Sequence, residues 1–213
     1  MYCGNDVVAY THPRCINKHL NVAFLHKVFN TTEQQYILQQ NATYQNIALW
    51  CLWSLKESAY KLSCFNGNRN TYNTNAYIVQ VISPIVSGNI IHTVHNNSTL
   101  PTTAYINSVI MYNHTPYYGS TLITPKYIHS TVHSTPNAHN TIWAVQDHAL
   151  SNKNDFSVAV RAFAIAQLAQ HNVHVTSIHK DADGIPYVTL HNGTSKYISL
   201  SHDMEFAAFA YTV

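Results

Sequence analysis

The sequence predicts an α+β protein made of two similar α/β halves, in which antiparallel sheets pack against helices. Each half begins with a strand-like segment, continues with helix-like segments and ends with several strand-like segments. The polar segment "STPNAHN", residues 134–140, is the best linker candidate between them. We therefore expect one unit over residues 1–135 and a second over residues 136–213.

The composition fits a folded chain with few charged side chains. Its 213 residues suffice for one domain or for two small subdomains that share a core, and 46% of them are hydrophobic. Only 9% are charged, so a cluster of charges carries more information than usual. The formal net charge of +2 gives no support for nucleic-acid binding. No apolar run reaches the length of a membrane span, so we expect no membrane association.

The cysteines and the start of the chain indicate a cytoplasmic protein. No two of the four cysteines form a C-x-x-C pair, and Cys51 lies in an apolar helical segment. We therefore interpret the thiols as reduced and mostly structural. The first residues lack the basic and apolar regions of a secretory signal.

The first half opens with "DVVAY", which predicts a short buried strand. In "FNTTEQQYILQQ", Asn30 or Thr31 is expected to cap a helix. Glu33 or Gln34 then completes a capping box. A second helix is predicted over about residues 46–64.

The remaining segments alternate between strand-like and helix-like patterns. Residues 75–133 are rich in β-branched and aromatic residues, which predicts antiparallel strands at "AYIVQVIS", "NIIHTVHN", "AYINSVIMY" and "KYIHSTVH". In the second half, the strand "TIWAVQDH" precedes the amphipathic helix "DFSVAVRAFAIAQLAQH". The last predicted strands are "VHVTSIHKD", "IPYVTLHN", "YISLSH" and "EFAAFAYTV".

Two carboxylates stand out in this charge-poor chain. Glu57 and Lys61 are four residues apart on one helix face, close to Trp53 and Tyr60. A surface ion pair is one reading, but a carboxylate against aromatic rings is costly unless a cation compensates it. Asp6 is an unusual acid in a short apolar strand, although a strand-end aspartate is also common. Asp6 and Glu57 together can form an oxygen-only Mg²⁺ site of the kind completed by water and phosphates.

A third candidate lies near the end of the chain. Ser201 and His202 end one predicted strand just before another. They are either part of a turn with a solvated histidine or a pair of hydrogen-bond donors for an anionic group.

These three pieces together resemble the 4′-phosphopantetheinyl transferase superfamily. Its signature is a G-x-D strand followed by a W-S-x-K-E-[SA]-x-x-K helix, which stand here as residues 4–6 and 53–61. An F-x-x-x-E segment precedes the helix in that family, and Phe29 and Glu33 occupy it here. The helix motif is nearly complete and fairly specific, whereas the strand motif alone would be weak.

The order of the motifs implies that the two halves have exchanged places. In the surfactin-synthetase-activating type, the Asp and K-E motifs lie in the C-terminal half, after a G-K-P turn and an S-H-S element. Here they come first, as in the short holo-acyl-carrier-protein synthases, while "DGIPYV" and "SLSHD" come last. The resemblance thus implies a pseudo-dimer that works as a monomer. Residues 1–135 form the catalytic half, and residues 136–213 complete the coenzyme A site.

The resemblance implies transfer of the 4′-phosphopantetheine group from coenzyme A to a serine of an apo acyl or peptidyl carrier protein. The reaction is Mg²⁺-dependent and releases adenosine 3′,5′-bisphosphate. Asp6 and Glu57 are expected to hold the metal, and Glu57 and Lys61 to be catalytic. Carriers of fatty acid biosynthesis, polyketide synthesis and peptide synthesis all fit this expectation.

Six side chains are expected to contact coenzyme A. The sequence departs from the family at two places: Val8 and Ala9 occupy the positions where a second acid is common, and Ile185 replaces the lysine of G-K-P. We interpret Lys180, just upstream, as a replacement for that charge. The predicted coenzyme A ligands are Lys56, Lys61, Arg161, Lys180, Ser201 and His202.

Two other functions remain open from the sequence. The missing second acid allows a non-catalytic coenzyme A or carrier-protein binding module of the same fold. A His-based metallohydrolase is suggested by "HTVH" (His92, His95) and "HSTVH" (His129, His133). The predicted strand conformation disfavours paired ligation there, and no H-E-x-x-H motif occurs.

Overall fold

The structure is a computed structural model that describes residues 2–68, 70–81, 104–136, 140–147 and 153–213. The predicted strand "NIIHTVHN", with His92 and His95, lies outside the described residues. The predicted class is confirmed in its coarse form, because helices pack against sheets whose described strand pairs are antiparallel.

The first half forms one antiparallel sheet with helices against it. Its strand order is β1-β5-β4-β3-β2, so the first strand pairs with the last. Helix α3 supplies Leu49, Leu52, Leu55 and Leu62 to the core cluster it shares with the sheet. The elements are β1 Cys3–Val8, α1 Val22–Val28, α2 Thr31–Gln39, α3 Ala42–Phe65, β2 Tyr77–Val81, β3 Ala104–Tyr112, β4 Thr115–Ile123 and β5 Ile128–His133.

Local sequence sets the start of α2 as predicted. The Asn30 side chain accepts a hydrogen bond from the Glu33 amide at 2.9 Å, and Glu33 Oε2 accepts one from the Asn30 amide at 3.0 Å. The capping box therefore pairs Asn30 with Glu33, one of the combinations that the sequence left open. Helix α3 begins at Ala42, earlier than predicted.

Strand β4 was not predicted from the sequence. Pro116 and Gly119 interrupt its strand-like pattern. Gly119 is explained by packing, because a Cβ there would come within 2.6 Å of Leu55 Cδ2.

The described residues of the second half form two three-stranded antiparallel sheets and one long helix. The strand orders are β10-β11-β6 and β7-β8-β9. Helix α4 packs Ala164 and Leu168 into a cluster with Val188, Ile198 and Phe209. The predicted strand "YISLSH" is divided into two. The elements are β6 Thr141–Asp147, α4 Lys153–Gln170, β7 Val175–Lys180, β8 Pro186–Leu190, β9 Ser195–Tyr197, β10 Ser199–Asp203 and β11 Phe206–Thr212.

The two halves are similar in strand pairing and in the order of their elements. In each, the opening strand pairs antiparallel with the closing strand, β1 with β5 and β6 with β11. In each, helical segments follow the opening strand. This pattern is consistent with two similar halves, while the pseudo-dimer and the boundary near residue 135 stay predictions.

The halves meet through β1 of the first and β10 and β11 of the second. The Asn5 amide donates to Ser199 Oγ at 2.8 Å, and Asn5 Nδ2 donates to Ser201 Oγ at 3.1 Å. Further along β1, Val7 packs in a cluster with Phe206 and Ala208 of β11. Since strand side chains alternate, this leaves Gly4 and Asp6 on the opposite face, toward α3.

Gly4 allows β1 to lie directly against α3. A Cβ built on Gly4 would lie 1.9 Å from the carbonyl oxygen of Ser58 and 2.9 Å from the Leu62 amide nitrogen. Both obstacles are backbone atoms, which cannot rotate away. Gly4 of the G-x-D motif therefore contacts the backbone of the helix motif directly. This contact sets the distance between Asp6 and Glu57.

Gly4→Ala is expected to lower the free energy of unfolding by at least about 3 kcal/mol, because the strand must move away from the helix. Gly119→Ala is the matched control. Its added methyl would first meet Leu55 and Ile110 side-chain ends, which can shift, so the expected loss is about 1 kcal/mol. Urea denaturation of both variants measures the difference. Equal losses would contradict the backbone contact as the constraint.

Candidate functional site

An open pocket lies where β1 and α3 meet β10 of the second half. Its volume is about 460 Å³. Asp6, Glu57 and His202 all line it. They come from the three segments that the sequence analysis singled out, so the fold brings the predicted motifs together.

Lys61 contacts the aspartate of this site. Its Nζ lies 3.1 Å from Asp6 Oδ1 and donates to the carbonyl oxygen of Asn5 at 2.9 Å. Glu57 lies one helical turn before Lys61 on the same side of α3. A single lysine is therefore placed beside two carboxylates of the pocket.

The environment of the pocket favours the protonated forms of Asp6 and Glu57. Burial and the nearby Asp6 charge together raise the pKa of Glu57 to about 7, against the opposing effect of the Lys61 charge. Burial also raises the pKa of Asp6, with Lys61 opposing and the Asp203 carboxylate adding to the rise. Burial is the main cause of both shifts and a neighbouring carboxylate adds to each, so a positive charge between Asp6 and Glu57 would favour their ionised forms.

The donor set fits a hard divalent cation. Mg²⁺ binds proteins through one or two carboxylates and completes its shell with water and substrate phosphates. Asp6 and Glu57 supply two such carboxylates with raised pKa values, which a cation would lower. Among the described residues, no group of three or more His, Cys, Asp or Glu side chains is arranged to hold a metal. A metal here would therefore depend on ligands beyond these two side chains.

The second half contributes His202 directly and Ser201 only indirectly. The His202 ring lines the pocket and stacks on Phe156, with ring centroids 5.6 Å apart. Burial and the Lys61 charge lower the pKa of His202, and Asp203 opposes this. Ser201 was expected to contact coenzyme A. It is instead 5% exposed, and its Oγ accepts from Asn5, so it joins the two halves.

Three lining residues were missed by the sequence reasoning. Arg14 and Lys18 reach the pocket from the segment after β1, and Asp203 follows His202 on β10. Arg14 forms an ion pair with Asp203, whose other oxygen accepts from the Ala9 amide at 2.9 Å. The adjacent "SHD" letters were the one available signal for Asp203. Nothing in the sequence around Arg14 indicates which way it faces.

Lys56 was expected to bind coenzyme A, and its position does not support that role. Its side chain is 0% exposed, and Nζ lies 2.8 Å from Glu33 Oε2. Nζ also donates to the carbonyl oxygens of Thr74 and Tyr77, at 3.0 and 2.7 Å. Lys56 therefore ties α3 to α2 and β2, and it points away from the pocket.

Arg161 and Lys180 are not brought into the pocket. Arg161 Nη1 donates to the backbone and side-chain oxygens of Ser157, one turn earlier on α4, at 2.9 and 2.6 Å. Lys180 is exposed at the end of β7. Neither lines the pocket that holds Asp6 and Glu57. Their roles as coenzyme A ligands stay predictions.

The described histidines give no support to the metallohydrolase reading. His129 is buried between the halves, with its Nε2 3.2 Å from Asn5 Nδ2 and its ring 4.8 Å from Trp143. Burial lowers the pKa of His133 to about 4, so the ring is neutral. Both lie in β5, away from the pocket lining.

The pocket combines carboxylates, a lysine and a histidine in the way needed by proteins that act on phosphate-bearing substrates. Residues 2–99 match the family model of the 4′-phosphopantetheinyl transferase superfamily. This part of the chain is similar to that superfamily, which confirms the resemblance drawn from the two motifs. Neither a curated protein nor a solved structure matches the chain significantly.

The family match supports phosphopantetheinyl transferase activity in general. Members of the superfamily use coenzyme A as substrate and act on carrier proteins. Within the described part of the chain, no helix has the length and apolarity needed to cross a membrane.

Proposed function

We propose that this protein transfers 4′-phosphopantetheine from coenzyme A to a serine of an apo acyl or peptidyl carrier protein, with Mg²⁺, and releases adenosine 3′,5′-bisphosphate. One observation carries the proposal: a single pocket holds Asp6 and Glu57, with Lys61 beside them and His202 facing from the second half. The reaction forms a bond from the serine oxygen to the phosphorus that bears pantetheine. It breaks the bond from that phosphorus to the bridging oxygen.

The first half supplies the groups that act on the reacting atoms. Glu57 lines the pocket and is placed to accept the serine proton, directly or through a water. Lys61 carries a positive charge for the phosphate oxygens, on which charge builds up in the transition state. Asp6 and Glu57 would hold Mg²⁺, which supplies charge neutralisation of the pyrophosphate when bound.

The pocket wall opposite Glu57 supplies groups for the anionic part of coenzyme A. His202 lines this wall from β10, and Arg14 and Lys18 approach from the segment after β1. The ion pair with Asp203 holds Arg14 at the pocket. The Asp203 carboxylate of the second half also accepts a hydrogen bond from the Ala9 amide of the first half. These two contacts of Asp203 connect the two halves at this wall of the pocket. Both halves of one chain form the pocket, which supports a monomer as the working unit.

The rim of the pocket is suited to an acidic carrier protein. Ile16, Leu20 and Val22 are 49%, 67% and 61% exposed, in the segment that contains Lys18. Apolar side chains beside basic ones suit weak docking of an acidic partner that also presents apolar residues. We propose that the carrier protein docks on this rim, next to Arg14.

A labelling assay tests the proposed transfer. The protein is incubated with Mg²⁺, coenzyme A that carries a fluorophore on its thiol, and several apo carrier proteins. Covalent fluorescence is expected on at least one carrier, and it should disappear with EDTA and with a carrier whose acceptor serine is replaced by alanine. Absence of label on every carrier, with coenzyme A binding intact, would instead indicate the non-catalytic binding module.

A further inference from the structure

The hydroxyl of Tyr72 is a buried polar group beside the pocket helix α3. It has essentially no exposed surface, and no hydrogen-bond partner for it lies among the described residues. Tyr72 precedes β2, in the segment that follows α3. Since buried hydroxyl groups are normally hydrogen-bonded, this one calls for an explanation.

The ring of Tyr72 packs against Trp53 and Tyr60, which precede and follow Glu57 on α3. Its centroid lies 4.7 Å from the ring of Tyr60 and 6.3 Å from the ring of Trp53. In α3, Trp53 stands four residues before Glu57 and Tyr60 three residues after it, so all three share one side of the helix. Trp53 and Glu57 both line the pocket. Tyr72 is therefore fixed by aromatic contacts against the helix turn that carries the glutamate.

The electrostatic environment agrees with this placement. Burial raises the pKa of Tyr72, and among the charges that add to this rise Glu57 has the largest effect, followed by Asp6. The phenol therefore keeps its proton and remains a donor. A protonated phenol beside an ionised carboxylate makes a short, strong hydrogen bond when the two can meet.

We propose that Tyr72 is a positioning residue whose hydroxyl donates a hydrogen bond to the Glu57 carboxylate when the site is loaded, fixing Glu57 in the orientation that holds a divalent cation. This inference rests on the proposed function. It adds a residue outside the two sequence motifs to the machinery of the site. The ring of Tyr72 is already packed against α3 through Trp53 and Tyr60.

Tyr72→Phe tests the proposal, with Tyr36→Phe as the matched control. The Tyr36 hydroxyl is also buried without a partner in the described part of the chain, but it lies on α2, and the neighbouring group that raises its pKa is Cys51 rather than Glu57. Both variants remove one unpartnered hydroxyl and keep the ring, so neither should lose thermal stability. Direct Mn²⁺ binding is followed by electron paramagnetic resonance, with and without coenzyme A, and transfer kinetics are measured in parallel.

Tyr72→Phe is expected to weaken Mn²⁺ binding about 10- to 100-fold, as loss of an outer partner of a metal ligand does, and to lower kcat more than it raises KM for coenzyme A. Tyr36→Phe should leave both unchanged. Unchanged Mn²⁺ affinity in Tyr72→Phe would overturn the inference, and so would a loss confined to coenzyme A affinity. Those results would leave the proposed transfer intact. Failure of the unsubstituted protein to label any carrier would instead count against the proposed function.

Discussion

Glu57→Gln is expected to abolish phosphopantetheine transfer and at the same time to stabilise the protein above pH 7. The activity falls because glutamine can neither accept the serine proton nor serve as an anionic metal ligand, and we expect a loss of at least about 10²–10⁴-fold. The stability rises because the folded protein disfavours the ionised form of Glu57. Its pKa is raised from the model-peptide value of 4.5 to about 7 by burial and by Asp6.

The sign of the pH dependence follows from that shift. Below about pH 4.5 the glutamate is protonated in both the folded and the unfolded chain, so it contributes no difference. Between pH 4.5 and 7 the folded chain keeps a proton that the unfolded chain has lost, so stability falls as pH rises. Above pH 7 the full cost remains, about 1–3 kcal/mol after allowance for partial exposure. Glutamine removes this cost.

Denaturant unfolding at pH 4.5 and pH 8, without added metal, measures the effect. Glu57→Gln should gain stability at pH 8 and change little at pH 4.5. Glu205→Gln, in the turn between β10 and β11, is the control, and it should leave transfer unchanged. A wild-type transfer rate in Glu57→Gln would refute the catalytic assignment. A loss of stability at pH 8 would refute the electrostatic argument.

Lys56→Met is expected to lower the free energy of unfolding by about 3–5 kcal/mol, because it leaves the buried Glu33 carboxylate without its cation. The two side chains are 0% and 1% exposed. In the double variant Glu33→Gln/Lys56→Met no charge is left behind, so the loss should be smaller than the sum of the single losses. The KM for coenzyme A should not change, since Lys56 lies away from the pocket.

An exposed ion pair of the same chain is the control for Lys56. Lys126 Nζ lies 3.4 Å from Asp147 Oδ2, and the two side chains are 52% and 50% exposed. Lys126→Met should therefore cost less than about 1 kcal/mol. Equal losses in the two lysine variants would contradict the role of burial. A raised KM in Lys56→Met with unchanged stability would restore the coenzyme A role that the sequence suggested.

Features that depend only on neighbouring residues could be predicted from the amino-acid sequence. The capping box of Asn30 and Glu33 is local, because its partners are three residues apart. The helix that presents Glu57 and Lys61 on one side follows from the helical period. The match of Gly4, Asp6 and the helix motif to one superfamily also came from letters alone, and the family comparison confirmed it.

The tertiary packing between segments determines which distant side chains are in contact. The letters "WSLKESAYK" do not show that Lys56 and Lys61 have different partners, yet Lys56 pairs with Glu33 in the core and Lys61 with Asp6 at the pocket. Two residues on one helix differ in this way because a helix turns its successive side chains toward different neighbours. Those neighbours are set by the packing of β1 and β2 against α3.

The same reason explains the residues that the sequence did not indicate. Arg14 and Asp203 are far apart along the chain and meet because β1 packs against β10. Tyr72 stands beside Glu57 because its ring packs on Trp53 and Tyr60. Periodicity and motif spacing describe order along one segment, whereas close packing between segments decides which side chains meet in this pocket.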